Sequence, residues 1–171
     1  MSVEFWTMGA GRPGRPGSNV FSGTRQAIAA EEIGYDGIAY VDSQNLSGDC
    51  YVALALAAQA TSNIKLGTGV TNSFTRHPAA TASAIASIQM ESDGRAYLGI
   101  GRGDSALAHL GRAPHSVTEF ENYLEQLQNY LRGNEVEFEA DSDLGSLGLA
   151  DHSSSSRISW IAGIQPKVPV D

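Results

Sequence analysis

The chain has 171 residues, a formal net charge of −8, 42% apolar residues and 18% charged ones. That length suits one domain with room for a real core, and the acidic balance speaks against a nucleic-acid surface, which needs clustered Lys and Arg. No apolar run approaches the roughly 18 residues of a membrane span, and the lone Cys50 excludes an internal disulfide and argues against a structural zinc site, so a cytoplasmic protein without a metal centre is expected.

In chain order, Val3–Thr7 alternates and is rich in β-formers, which reads as a first strand. Gly9–Asn19 (GAGRPGRPGSN) is too broken by glycine and proline for helix or strand; no Gly-Lys-Ser/Thr follows it, so a nucleotide P-loop is excluded and a loop over a pocket is expected. Ser22 caps a helix that stops at Gly34, and Ile38–Val41 is a compact strand ending at Asp42. Val52–Ala60 is an almost wholly apolar helix. Ile64–Leu66 is a third strand that breaks into Gly67-Thr68-Gly69, and Pro78 opens an alanine-rich helix that ends near Asp93-Gly94. Ala96–Ile100 is a fourth strand, running into Gly101-Arg102-Gly103-Asp104. Phe120, Tyr123, Leu124, Leu127, Tyr130 and Leu131 then fall at spacings of three and four, a helical core stripe closed by Gly133. From Asn134 the pattern dissolves into an acidic, serine-rich, insertion-like segment over 134–166, and Val168-Pro169-Val170 reads as a fifth strand beginning.

A β-α order repeated four times implies a parallel sheet with right-handed crossovers. Two architectures remain open at this point, a doubly wound sheet and part of a (β/α)8 barrel. Glycines follow strands one, three and four, where α/β proteins gather ligand chemistry. His77, directly before Pro78, is expected to shape a turn. His109 and His115 stand without a Cys or carboxylate cluster and make no metal site, and Gly-x-Ser-x-Gly is absent.

The run from Gly69 to Asp104 carries a family resemblance. Gly69-Val70-Thr71-Asn72, Thr75-Arg76-His77-Pro78, Gly94-Arg95 and Leu98-Gly99-Ile100-Gly101-Arg102-Gly103-Asp104, with Asp42 and Asp49 upstream, resemble the bacterial luciferase-like superfamily of flavin- and deazaflavin-dependent oxidoreductases. Within it they are most similar to the methylenetetrahydromethanopterin reductase-like branch. The resemblance runs from about Val3 to Gly133.

It implies an α/β fold, the N-terminal half of a (β/α)8 TIM barrel, as one luciferase-like domain over 1–171 with an ordered core over about 3–133. A whole barrel needs about 250 residues, so a truncated chain is expected, one that forms a homo-oligomer or takes a partner to complete the barrel. The implied activity is hydride transfer between coenzyme F420 and a small organic substrate. The alternatives are an FMN-dependent monooxygenase and a non-catalytic half-barrel. Gly69-Val70 matches the family's non-prolyl cis peptide, a backstop for the cofactor ring. Gly69, Val70, Thr71, Asn72, Arg76, Gly101, Arg102, Gly103 and Asp104 are implied as cofactor-binding, and Asp42 as the catalytic acid that orients substrate or handles a proton. Relatives often carry His after that acid; here it is Ser43. In an open half-barrel, Phe5, Ile38, Tyr40, Leu66, Leu98 and Ile100 are expected to face inward and meet water.

Overall fold

A computed structural model describes residues 3–10, 22–138 and 153–160. Four βα units follow one another: β1 (Trp6–Gly9), α1 (Ser22–Ile33), β2 (Gly37–Tyr40), α2 (Cys50–Ala60), β3 (Lys65–Asn72), α3 (Pro78–Glu91) and β4 (Ala96–Gly101). A short α4 (Asp104–Ala108) and the long α5 (Val117–Arg132) complete the last unit. The four strands are parallel in the order β1-β2-β3-β4. A doubly wound sheet reverses its strand order at a switch point and carries helices on both faces. Here the order never reverses, and Ala27, Leu54, Ala57 and Ile85 of α1–α3 all pack with one face of the sheet. The architecture is a wall of a (β/α) barrel.

The two faces of that wall differ sharply. Pairing aligns Ile38 with Leu66 and Leu66 with Ala96, while Tyr40 aligns with Thr68 and Thr68 with Leu98. Because side chains alternate along a strand, these residues share one face. Ile38, Tyr40, Leu66 and Leu98 are 2% exposed or less, beneath the helices. The expectation that these four line the barrel interior is corrected: they are the helix-side core. Ile100 is half-buried against that same core, and Phe5 lies exposed ahead of β1. The inner face belongs to the intervening positions, Trp6, Met8, Ala39, Gly67, Gly69, Tyr97 and Gly99. Two-residue periodicity in short apolar strands cannot say which face turns inward, and that is why the assignment failed.

The first strand also starts later than its composition suggests. Phe5 N–H donates to Asp36 Oδ2 at 2.7 Å and its carbonyl accepts from Asp36 N–H at 2.9 Å, so ladder pairing begins only at Trp6 opposite Gly37. On the inner face Trp6 meets Tyr97 edge-on, Lys65 lies over the Tyr97 ring, and Glu4 binds both Lys65 and the Trp6 indole N–H.

At the opposite side, Arg95 ties three elements together. Its guanidinium donates to the Ala58, Thr61, Ile64 and Ser92 carbonyls and to Thr61 Oγ1, at 2.7 to 3.1 Å. It satisfies carbonyls left over at the end of α2, which a helix terminus cannot pair by itself. Glu31 does the reciprocal job, accepting the N–H groups of Ser62, Asn63 and Ile64.

Helix α5 begins with a capping box: Ser116 Oγ accepts from Glu119 N–H, and Glu119 accepts from Ser116 N–H. It therefore starts at Val117, one turn before the apolar stripe. Beyond it, β5 (Val136–Glu137) and β6 (Ser155–Ser156) pair antiparallel, Tyr130 Oη meets Ser156 Oγ at 3.1 Å, and Ile158 joins the core. The glycine-proline stretch 11–21, the segment 139–152 and the proposed fifth strand at Val168–Val170 lie outside the described residues.

Candidate functional site

At the carboxyl end of β3 the ladder with β4 shifts register between Thr68 and Thr71, and the Gly69-Val70 peptide is cis, as the resemblance implied. Val70 is 55% exposed, and its methyl groups lie over the Gly99 and Gly101 positions of β4. A Cβ placed on Gly99 would stand 2.5 Å from the Thr68 carbonyl oxygen. Only a residue without a side chain allows β4 to lie so close to the bulge. Gly69, Val70, Gly99 and Gly101 thus form an apolar shelf on the inner face, with the Val70 side chain standing over the β4 glycines and Met8 beside Gly69.

Asp42, the acid that the resemblance implies orients substrate or handles a proton, is enclosed by protein. It is only 3% exposed although the inner face is open. Its carboxylate accepts from Thr71 Oγ1 at 2.7 Å, Arg76 Nη1 at 2.6 Å and Gln44 Nε2 at 2.9 Å. Arg76 donates through Nη2 to Asp49 at 2.6 Å and stacks 4.8 Å above the Tyr51 ring. Asp49 in turn caps α2 by accepting from the Tyr51 and Val52 N–H groups. This polar cluster therefore sits on the helix side of the strand ends, against the first turn of α2. Burial opposes the charge on Arg76, yet the two carboxylates more than offset it and hold the guanidinium above its ordinary range. Burial, with Asp42 adding, pushes the Cys50 thiol up, and burial does the same to the Tyr51 phenol. A thiol in that state is no nucleophile.

Arg76, which the resemblance implies as cofactor-binding, is here paired with two acids of the rim. Thr71 belongs to the same cluster. Asn72 is 1% exposed and turns the chain out of β3, its Oδ1 accepting from Phe74 and Thr75 N–H. Among the described residues Gln44 Oε1, Tyr51 Oη, Asn72 Nδ2 and Thr75 Oγ1 are buried without a hydrogen-bond partner. Orphaned polar atoms are scarce in native structures, and these four belong to the segment that follows β2, to the start of α2, and to the end of β3 with the turn after it.

After β4, Gly103 adopts φ 96°, a left-handed conformation that favours glycine, and starts α4 at Asp104. Arg102 reaches the His115 carbonyl at 3.3 Å and Asp104 at 3.6 Å, and remains 38% exposed. It is the less committed cation of this rim. His77 takes the turn role expected of it, as N-cap of α3 with Nδ1 accepting from Ala79 N–H.

Sequence reasoning missed His115, whose Nδ1 lies 3.0 Å from Ser73 Oγ and whose ring tilts against Phe74 at 5.1 Å. It also missed Tyr51, Cys50 and Gln44 as parts of the Asp42 cluster. The Asp-x-Tyr spacing at a helix start was the available signal for Tyr51, whereas nothing local links His115 to Ser73. Between the β3–α3 turn and α5 these residues open a cleft of about 420 Å³, lined by Phe74, His77, Pro78, Asn122 and Gln126 among others.

The family model described as luciferase-like monooxygenase matches residues 1–168. The 5,10-methylenetetrahydromethanopterin reductase of Methanolobus tindarius is 36% identical over 128 residues, covering 74% of this chain and 39% of the relative. The F420-dependent hydroxymycolic acid dehydrogenase of Mycobacterium tuberculosis is 37% identical over 86 residues, 46% of this chain and 24% of the relative. Among solved structures, the coenzyme F420 dependent tetrahydromethanopterin reductase of Methanopyrus kandleri superposes with a TM-score of 0.75 at 26% identity, over 99% of this chain and 50% of that one. The oxygenating constituent of 3,6-diketocamphane monooxygenase from Pseudomonas putida, solved with FMN, superposes with a TM-score of 0.67 over 82% of this chain and 42% of that one, at 23% identity, and speaks for the fold alone. The chain thus spans at most about half the length of these relatives.

Proposed function

The chain belongs to the luciferase-like monooxygenase family, and from that membership we propose that it forms the cofactor-facing half of an oxidoreductase moving a hydride between coenzyme F420, a deazaflavin, and a small organic substrate. The observation that carries this reading is the shelf of Gly69, Val70, Gly99 and Gly101. The 2.5 Å approach at Gly99 leaves no room for a side chain there, so the exposed Val70 supplies the apolar surface against which a planar ring can rest. The deazaflavin, when bound, supplies the carbon that gives or accepts the hydride. This chain's residues do the rest. Val70 offers the apolar surface, the backbone from Gly101 to Asp104 and the exposed Arg102 suit an anionic or carbonyl edge, and Thr71 and Asn72 fix the strand end beneath. Asp42 acts as a positioning residue, holding Arg76, Thr71 and Gln44 in place. F420 is preferred to FMN because the relatives similar in sequence include an F420-dependent dehydrogenase, whereas the FMN-bound neighbour is less than a quarter identical.

In this reading residues 1–171 are one luciferase-like domain, acting in the cytoplasm. The open edges of β1 and β4 are covered by further strands, supplied by a second copy or by a partner. The test is titration of the full chain with oxidised F420 and with FMN, followed by absorbance and fluorescence. Saturable F420 binding, tighter than FMN, is expected. Tighter FMN binding would move the assignment to the monooxygenase chemistry, and the absence of saturable binding by either would leave a non-catalytic half-barrel.

A further inference from the structure

The cleft beside α5 is built from groups with unspent hydrogen-bonding capacity, and almost none of that capacity is charged. Arg76, on its wall, is committed to Asp42 and Asp49. Glu119 is committed to the capping box of α5, and its hydrogen bond to Ser116 holds the carboxyl below its ordinary range. What remains are two imidazoles and two carboxamides. His77 accepts from Ala79 N–H through Nδ1, so in the neutral ring Nε2 carries the proton and is a donor. His115 engages Ser73 through Nδ1, and its Nε2 has no partner among the described residues. The carboxamides of Asn122 and Gln126 line the same cleft and have no side-chain partner among the described residues. Phe74, 41% exposed, and Pro78 give it an apolar floor.

We propose that this cleft binds a neutral, polyhydroxylated small molecule. Planar amides and imidazoles match hydroxyl groups, which both donate and accept, and an aromatic floor matches the C–H face of a sugar or polyol. An anion would find its natural cation already paired and a carboxylate nearby, in a chain of net charge −8. The volume, about 420 Å³, falls in the range of small-molecule sites. The inference rests on the cleft alone and stands or falls independently of the cofactor on the shelf.

The test is an NMR titration of the full ¹⁵N-labelled chain with methyl glucoside, with ribitol and with citrate. Saturable, millimolar shifts of Phe74, His115 and the Asn122 and Gln126 side-chain amides are expected with at least one of the two polyols, and none with citrate. A tighter glucoside assigns the cleft to a free sugar; tighter ribitol assigns it to the hydroxylated chain of a larger ligand. The variant carrying Asn122→Ala and Gln126→Ala should bind about tenfold more weakly, two neutral hydrogen bonds being lost, with its melting temperature unchanged. Preference for citrate, polyol shifts that persist in the double variant, or no saturable polyol shift overturns the proposal.

Discussion

Removing the Asp42 carboxylate leaves Arg76 with Asp49 as its only anionic partner among the described residues and takes an acceptor from Thr71. Breaking one side of a buried ion pair costs about 3–5 kcal/mol, and Arg76 is 19% exposed, which moderates the figure. Asp42→Asn should therefore lose about 2–3 kcal/mol in urea unfolding, in addition to any loss of cofactor affinity. An unchanged unfolding midpoint would show that the carboxylate is not structural and would return it to a direct role in chemistry. Glu31 makes a different prediction. Burial raises its pKa, but the N–H groups of Ile64, Asn63 and Ser62 outweigh this, and the folded value lies below the ordinary one. Such a group adds stability above its unfolded pKa of about 4.3 and loses it as pH falls through the folded value. Glu31→Gln should cost about 1–2 kcal/mol at pH 7 and much less below pH 3 (an acidity taken from the same linkage). Melting curves at the two pH values decide it, and equal losses at both would remove the charge from the account.

Arg95 holds the end of α2, the entry to β3 and the turn before β4 with one rigid fork of donors. Lysine keeps the charge but has no fork, so Arg95→Lys should destabilise by about 2 kcal/mol, read as a lower chemical-denaturation midpoint with an unchanged slope. If the midpoint holds, the bonds are not contributing. At this scale the sequence was informative where the physics is local. The four helices that could be read from capping residues and apolar spacing are present, and β4 ends at Gly101 among its glycines, whereas β3 does not break at Gly67 but runs on through Gly69 to Asn72. The start of α5 was equally legible in Ser116-x-x-Glu119 and was passed over for the later aromatic stripe. What could not be read was long-range. The direction of Asp42 depends on a salt bridge to Arg76, 34 positions away, and the role of His115 on Ser73, 42 positions away. Gly94-Arg95 belonged to the family pattern, yet no local rule says that its arginine closes off a helix three elements earlier.

At the scale of the molecule, the outer edges of β1 and β4, which have no strand partner among the described residues, and the exposed Met8 and Val70 leave an inner surface that favours association. The helix-side core, by contrast, is closed within these residues. The chain should melt cooperatively yet show a mass that rises with concentration in sedimentation; a concentration-independent monomer would mean that the edges are protected by something other than a second sheet. The separation of the two faces bears on how such a barrel can be inherited. Because the apolar bulk of the four βα units lies in one continuous cluster beneath their helices, separating this wall from the rest of a barrel severs backbone pairing and lining contacts but leaves its own packed interior closed. Halves from different relatives can then be joined with only two strand seams and a shallow, glycine-lined floor to match.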